Sequence, residues 1–407
     1  MTLPFNGLRV IDLTTVIAGP YCAYHLALTG AEVIKVESPD GGDLARRLGA
    51  DPALNALDMG ASYLALAAGK RSLALNLKPE PGKDVLRRLA AGADVVLENF
   101  RPGVMTRLGV DWENLRERNP RLIYCAISGF GQEGSYRANP AYDQIVQGLS
   151  GAMSATGTEE SGPLRAGYPI SDTVAGLNAA YAIAAALVQR ERSGEGQFID
   201  VSMLDSTLSI MGWVTSNHLI AGQPPVRVGN DNFTASPSGS FRVRDGLINV
   251  AANKQAQFEA LCREIGREDL LADARFGDPE ARLVHRDALK AELERTFAED
   301  DGPSWVKRLN SAGIPAGPVL GMDEALALPP IAERDSVQSI DNVPGVKRPV
   351  QVFTSGYRLS GGAPKVGNPP PRLGQDSRAI LAELGYDETE IDTLARDGVI
   401  GEHQSAE

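Results

Sequence analysis

Leu8–Glu37 reads LRVIDLTTVIAGPYCAYHLALTGAEVIKVE. Leu8–Leu13 is a short apolar, β-branched run and predicts a strand. Gly19-Pro20 opens a helix through Leu28, Thr29-Gly30 closes it, and Glu32–Glu37 is a second strand. Strand, helix and strand joined by short turns predict a parallel pair with a right-handed crossover. The pattern recurs downstream. Strand-like runs occupy Ser72–Leu77, Asp94–Leu97 and Leu122–Ile127. A helix is expected over Pro79–Ala91, with prolines near its start and Gly92 just past its end. The fold class is therefore α/β, with a doubly wound parallel sheet.

Further along, Pro169–Arg192 reads as one long Ala-rich helix, followed by a strand at Gln197–Ser202. From Gln223 to Gly246 the chain is rich in Pro, Gly, Asn and Ser, the composition of a linker and functional loop. A strand at Leu247–Ala251 and helices around Gln255–Arg267, Arg282–Phe297 and Trp305–Ala312 suggest a smaller α+β domain. Ser377–Leu384 and Asp387–Asp397 read as helices after a Pro/Gly-rich stretch.

Composition narrows the function classes. Lys and Arg number 40 against 52 Asp and Glu, a net charge of −12 over 407 residues. That balance argues against a nucleic-acid partner, which needs a basic face. Cys22, Cys125 and Cys262 form no Cys-x-x-Cys pair, so neither a disulfide framework nor a zinc site is expected, and a reducing cytoplasm is. The first residues lack a basic stretch followed by an apolar run. The longest apolar stretch, Ala175–Val188, contains Asn178 and is read as a buried helix rather than a membrane span.

Four places can carry chemistry. The turn Thr14–Pro20 follows the first strand, where open α/β sheets bind ligands, but it holds only Gly19 of a G-x-G-x-x-G fingerprint. Cations recur near predicted strand ends, at Arg46, Arg47, Lys70, Arg71, Lys78, Arg101 and Arg107, and suggest an anion site. The glycine-rich Gly129–Gly134 segment precedes Tyr142, whose hydroxyl could orient a carboxylate, and Asp143, a candidate helix N-cap. Asp172 falls at the start of the long helix, whose field favours an ionised carboxylate. It is read either as an N-cap or as a nucleophile towards an acyl group, and spacing leaves both open. His25, His218, His285 and His403 are scattered, with neither a nucleophile elbow nor metal-ligand spacing around them.

Taken in order, LRVIDLTTVIAGPYC, GAEVIKVESPDGGDLARR, GKRSLALNLK, ADVVLENFRPGVMTRLG, ISGFGQEGSYRANPAYDQIVQGLSG, YPISDTVAGLNAAYAIAAAL, RSGEGQFIDVSMLDS and GIPAGPV resemble the class III CoA-transferase family. That family is the formyl-CoA transferase, carnitine CoA-transferase and α-methylacyl-CoA racemase group. The resemblance implies a Rossmann-like large domain built from both ends of the chain. Its parts would be residues 1–222 and 326–407, with a linker and small domain at 223–325. It implies an interlocked homodimer and no tightly bound cofactor, with coenzyme A and acyl-CoA as substrates beside a small carboxylic acid. Asp172 takes the position of the nucleophile that forms an aspartyl-CoA thioester, with succinyl-CoA as donor. Val16, Ile17, Ala18, Leu75, Asn76, Lys78, Asn99, Phe100, Arg101 and Arg107 would contact CoA, with Tyr142 and Asp143 near the thioester. The Ser236–Gly239 backbone is the candidate oxyanion donor.

Two departures from the family matter. Ile17 replaces the glutamine of formyl-CoA transferase, which disfavours a very small polar acid. Tyr142 replaces the histidine of the racemase branch, and a phenol is a poor base at neutral pH. Racemisation or epimerisation is therefore the alternative, and CoA transfer to a carboxylic acid the expectation.

Overall fold

The computed structural model describes residues 2–402. A seven-stranded sheet runs through the larger of two compact units. Its strands are β1 (Arg9–Asp12), β2 (Glu32–Glu37), β3 (Lys70–Leu75), β4 (Val95–Glu98), β5 (Ile123–Ser128) and β6 (Phe198–Ser202), with Ile400–Gly401 at one edge. In space the first six lie in the order β3-β2-β1-β4-β5-β6, all parallel, and the C-terminal strand pairs antiparallel with β3. The order reverses between β1 and β4, which opens a crevice at the carboxyl ends of those strands.

Helices cover both faces of the sheet. They are α1 (Ala18–Leu28), α2 (Glu80–Ala91), α3 (Asp143–Leu149), α4 (Ile170–Ser193), α5 (Met203–Ile210), α6 (Ser377–Glu383) and α7 (Glu388–Arg396). Side chains alternate along each strand, so one set meets each layer. Ile11, Ile34, Leu73 and Val96 pack with α2, α6 and α7. Val10, Val33, Val95 and Ile123 pack with α1 and α4. By length and composition α4 could cross a membrane, but Val174, Ala175, Ala179, Ile183 and Ala186 are buried within the protein. Gly176 lets α1 and α4 close up, because a Cβ there would stand 2.5 Å from the Ala18 carbonyl oxygen.

The larger unit comprises the described parts of Met1–Ala152, Arg165–Ala221 and Pro330–Glu407, and the smaller Met153–Leu164 with Gly222–Pro329. The smaller unit holds a three-stranded antiparallel sheet, Ser238–Val243, Gly246–Ala251 and Ala316–Pro318. Its core joins Phe241, Ile248, Phe258, Leu293, Phe297 and Trp305. The helix expected over Arg282–Phe297 is broken at His285, which ends Pro279–Val284 and caps Arg286–Phe297.

Buried ion pairs correct two readings of the sequence. β3 starts at Lys70 rather than Ser72, because its two leading cations have carboxylate partners. Lys70 Nζ lies 2.9 Å from Asp12 Oδ2, both fully buried, and Arg71 bonds Glu32 and Glu383. Likewise Arg46 bonds Glu37 and the Tyr63 hydroxyl, and Arg47 bonds Asp58. Of the seven cations assigned to an anion site, Lys70 and Arg46 thus sit in buried pairs and Arg47 and Arg71 in more exposed ones, so four already have a carboxylate partner.

Burial alone would raise the Asp12 carboxyl, but Lys70 and Lys35 outweigh it and hold the group down at about 2. A carboxyl lowered by folding stabilises the native state above its ordinary value of 3.8, and that contribution is lost as pH falls through about 2. Lys70→Met leaves Asp12 buried and one cation short. Chemical denaturation should show a loss of about 3–5 kcal/mol, and the acid-unfolding midpoint should move to higher pH. Asp12→Asn combined with Lys70→Met should recover much of that loss.

Candidate functional site

The turn after β1 is gripped from four sides. Asp12 Oδ1 accepts the Thr14 N–H at 3.0 Å, and Lys35 donates to the Thr14 carbonyl at 2.8 Å. Asn99, just past β4, accepts from the Thr15 N–H and donates to the Thr15 carbonyl, both at 2.9 Å. Asp43 Oδ1 accepts the Val16 N–H at 2.9 Å, while its Oδ2 lies 3.0 Å from Lys35 Nζ. So held, Val16 sits at φ +69°, a conformation that a β-branched residue adopts only under constraint. Gly19 completes the turn, since a Cβ there would stand 2.2 Å from the Thr14 Cβ.

Above this turn lies a cavity of about 410 Å³ at the carboxyl ends of β1, β4 and β5. Val16, Ile17 and Ala18 form one wall, and Asn99, Phe100 and Arg101 another. Tyr142 and Asp172 complete the set of expected site residues that it gathers. Asp172 supplies the only carboxyl group among its lining residues, and Arg101 and Arg137 supply the cations. Among the described residues no carboxylate pairs with either arginine, which leaves both free for an anion.

Asp172 is not an N-cap. It lies in the first turn of α4, two residues past the start at Ile170. Nor does the helix field prevail, because burial first and Asp143 second push the Asp172 carboxyl up from 3.8 to about 7. Asp143 does not cap its own helix; the N-cap residue of α3 is Tyr142. Instead Asp143 Oδ1 accepts the N–H of Ser171 at 2.8 Å and of Asp172 at 3.4 Å, and so caps α4 from outside.

Other expected site residues lie outside the cavity. Leu75 is buried in the sheet core. The Asn76 N–H donates to the Val399 carbonyl at 2.8 Å, and its side-chain oxygen accepts the Lys78 N–H. Lys78 and Arg107 are exposed and have no ion-pair partner among the described residues. Asp143 is buried behind Asp172. In the smaller unit the Ser236 carbonyl accepts from Arg282 Nε at 2.9 Å, and the Pro237 carbonyl accepts the Ala252 N–H. His403 lies outside the described residues. Among those residues no cluster of three His, Cys, Asp or Glu side chains could hold a metal ion.

Sequence reading missed Arg137, Gln147 and the backbone strain at Val16, itself an expected site residue. Gln147 had a signal, because it follows Asp143 by four residues and so shares its face of a helix.

A family model for CoA-transferase family III matches residues 5–377. A succinate–glutarate CoA-transferase of Agrobacterium fabrum is 38% identical over 395 residues, 94% of this chain and 96% of that protein. An acetyl-CoA:oxalate CoA-transferase of Acetobacter aceti is 40% identical over 367 residues, 89% of this chain and 93% of that protein. Among solved structures, a CaiB/BaiF family protein from Brucella suis aligns at a TM-score of 0.84 and 35% identity, covering 94% of this chain and all of that one. The chain belongs to CoA-transferase family III and is an enzyme of the class III CoA-transferase type.

The Asp172 carboxyl gives a direct test of the site. With 13C-labelled aspartate, NMR should show one carboxyl titrating near 7 that disappears in Asp172→Asn; a midpoint near the ordinary 3.8 would refute the burial argument. A carboxyl raised by folding favours the native state fully below 3.8 and loses that advantage as pH rises through about 7. Asp172→Asn should therefore be more stable than the parent at pH 8, with a flatter pH dependence.

Proposed function

We propose that this enzyme moves CoA from succinyl-CoA to a dicarboxylic acid of about glutarate size, with Asp172 as the covalent nucleophile. The observation that carries the reading is Asp172 itself, the lone carboxyl among the lining residues of a cavity that also holds two arginines with no carboxylate partner among the described residues. The Asp172 carboxylate attacks the thioester carbonyl, the C–S bond breaks, and a mixed anhydride and CoA thiolate result. The thiolate attacks the aspartyl carbonyl, frees succinate and leaves an aspartyl-CoA thioester. The acceptor carboxylate then expels CoA thiolate in turn, which attacks the acceptor's acyl carbon and restores Asp172.

Size and charge support the acceptor class. Val16, Ile17, Ala18, Phe100 and Met203 give the cavity apolar walls for a methylene chain, which oxalate lacks. Arg101 and Arg137 match a diphosphate or a second carboxylate. The Agrobacterium relative's name gives the same pair of acids. Arg107 and Lys78, exposed and without carboxylate partners among the described residues, suit the phosphates of a bound CoA.

The Rossmann-like description of the large unit and a homodimer belong to the same proposal. Leu177, Tyr181 and Val188 leave an exposed apolar stripe along α4. Trp213–Ala221 buries none of its residues, with Leu219 76% and Ile220 85% exposed. A second copy of the chain would cover such a surface. Three free, buried cysteines are consistent with a cytoplasmic enzyme.

Succinyl-CoA with hydroxylamine should convert Asp172 to a hydroxamate, read by peptide mass spectrometry, and Asp172→Ala should lose at least about 10³-fold in rate. Exchange of deuterium at the substrate α-carbon without any label on Asp172 would instead favour a racemase. In a screen of acids, Arg137→Gln should raise KM for glutarate about 10- to 100-fold while sparing a monocarboxylate of equal length.

A further inference from the structure

Gln147 is 1% exposed and has all of its amide groups committed. Its Oε1 accepts the Ala166 N–H at 2.8 Å. Its Nε2 donates to Asp143 Oδ2 at 2.6 Å and faces the Tyr168 carbonyl at 3.4 Å. The amide cannot turn over, because its oxygen must meet an N–H and its nitrogen a carboxylate. Ala166 and Tyr168 belong to the segment that leads into α4. Asp143, 8% exposed, faces the N-terminus of that helix with its other oxygen.

We propose that Gln147 is a positioning residue for the transfer reaction: it fixes the Asp143 carboxylate against the first turn of α4, and through it places Asp172 in the cavity. The inference rests on Asp172 acting as the nucleophile. Gln147 itself touches neither substrate nor the reacting carboxyl.

The arrangement gives Asp143 two opposed effects on Asp172. It satisfies the backbone N–H groups that would otherwise be left unpaired at the helix start, and it brings a second negative charge near the nucleophile. Titratable groups on the elements packed against α4 are Tyr21, Cys22, Tyr24 and His25 on α1, Asp143 on α3, Tyr124 and Cys125 on β5, Asp200 on β6 and Asp205 on α5. Of these, Asp143 is the one that bears on the ionisation of Asp172. Without the amide donor, Asp143 Oδ2 would be a buried carboxylate oxygen lacking its partner. The group would then take up a proton or turn away from the helix.

A swap of the two side chains tests this on the full-length enzyme. Asp143→Asn sets two donors against each other and Gln147→Glu sets two acceptors, so each alone should lower kcat ~10- to 100-fold. KM for succinyl-CoA should stay within about twofold in both. Asp143→Asn with Gln147→Glu restores the bond between the two side chains with its direction reversed and keeps an acceptor for the Ser171 and Ala166 N–H groups, losing only the long contact to the Tyr168 carbonyl. The double variant should therefore recover most of kcat. Its negative charge lies one side chain further from Asp172, so the acid limb of kcat and the NMR midpoint of Asp172 should both fall below the parent's. Should a single variant not fold, the double variant carries the test by its midpoint alone. Multiplied losses in the double variant, or a midpoint that stays at the parent value, would overturn the assignment. Failure of the unmodified enzyme to form the Asp172 hydroxamate would instead overturn the transfer route itself.

Discussion

Three buried ion pairs, Asp12–Lys70, Lys35–Asp43 and Glu37–Arg46, stand side by side across the first three strands, and the turn after β1 depends on them. Such pairs contribute little net stability, because desolvation offsets their attraction. What they supply here is position. Asp12 and Asp43 each hold a cation with one oxygen and a turn N–H with the other, so the charges that stitch the strands also aim the backbone of Thr14 to Val16. The strain at Val16 is tolerated because those contacts over-determine it. An apolar replacement could fill the same volume, but it could not accept an N–H.

The sheet was legible because each strand carries its own signal. VIDL, EVIKVE and VVLE are dominated by apolar, β-branched residues, as strands covered on both faces need, although each also carries charge. Partnership over distance was not legible. Lys70 and Asp12 are 58 residues apart, and Arg71 and Glu383 are 312 apart. A cation read from sequence has no visible partner, so Arg46 and Lys70 looked like anion ligands when they are internal struts. Arg101 and Arg107 drew the same reading, and among the described residues they have no carboxylate partner. Sequence could not separate the two groups, since the difference lies in where the acidic residues fold.

Asp172 shows two effects of unequal size competing at one group. A carboxylate in a helix's first turn gains roughly 0.3–1 kcal/mol from the helix field, less than one pKa unit. Burial in the cavity wall and the neighbouring Asp143 charge act the other way and carry the carboxyl from 3.8 to about 7. The position in the helix could be read from the Pro169–Asp172 segment. Its sign could not, because Asp143 lies 29 residues earlier and reaches Asp172 only through the fold.

That raised carboxyl has a chemical consequence within the proposed route. Ionisation of Asp172 in the cavity costs on the order of 4 kcal/mol more than it does in water. Attack on a thioester carbonyl removes the negative charge from Asp172, and the anhydride and aspartyl thioester that follow are neutral there. The first attack therefore relieves the repulsion from Asp143 as well as the desolvation of the carboxylate, and only the last step restores them. The free enzyme carries the unfavourable state, which narrows the gap to its covalent intermediates. The same burial leaves a large fraction of Asp172 protonated near neutral pH, so the site trades the share of active nucleophile for the reactivity of each one. A freely solvated carboxylate would be fully ionised and would have no such incentive to react.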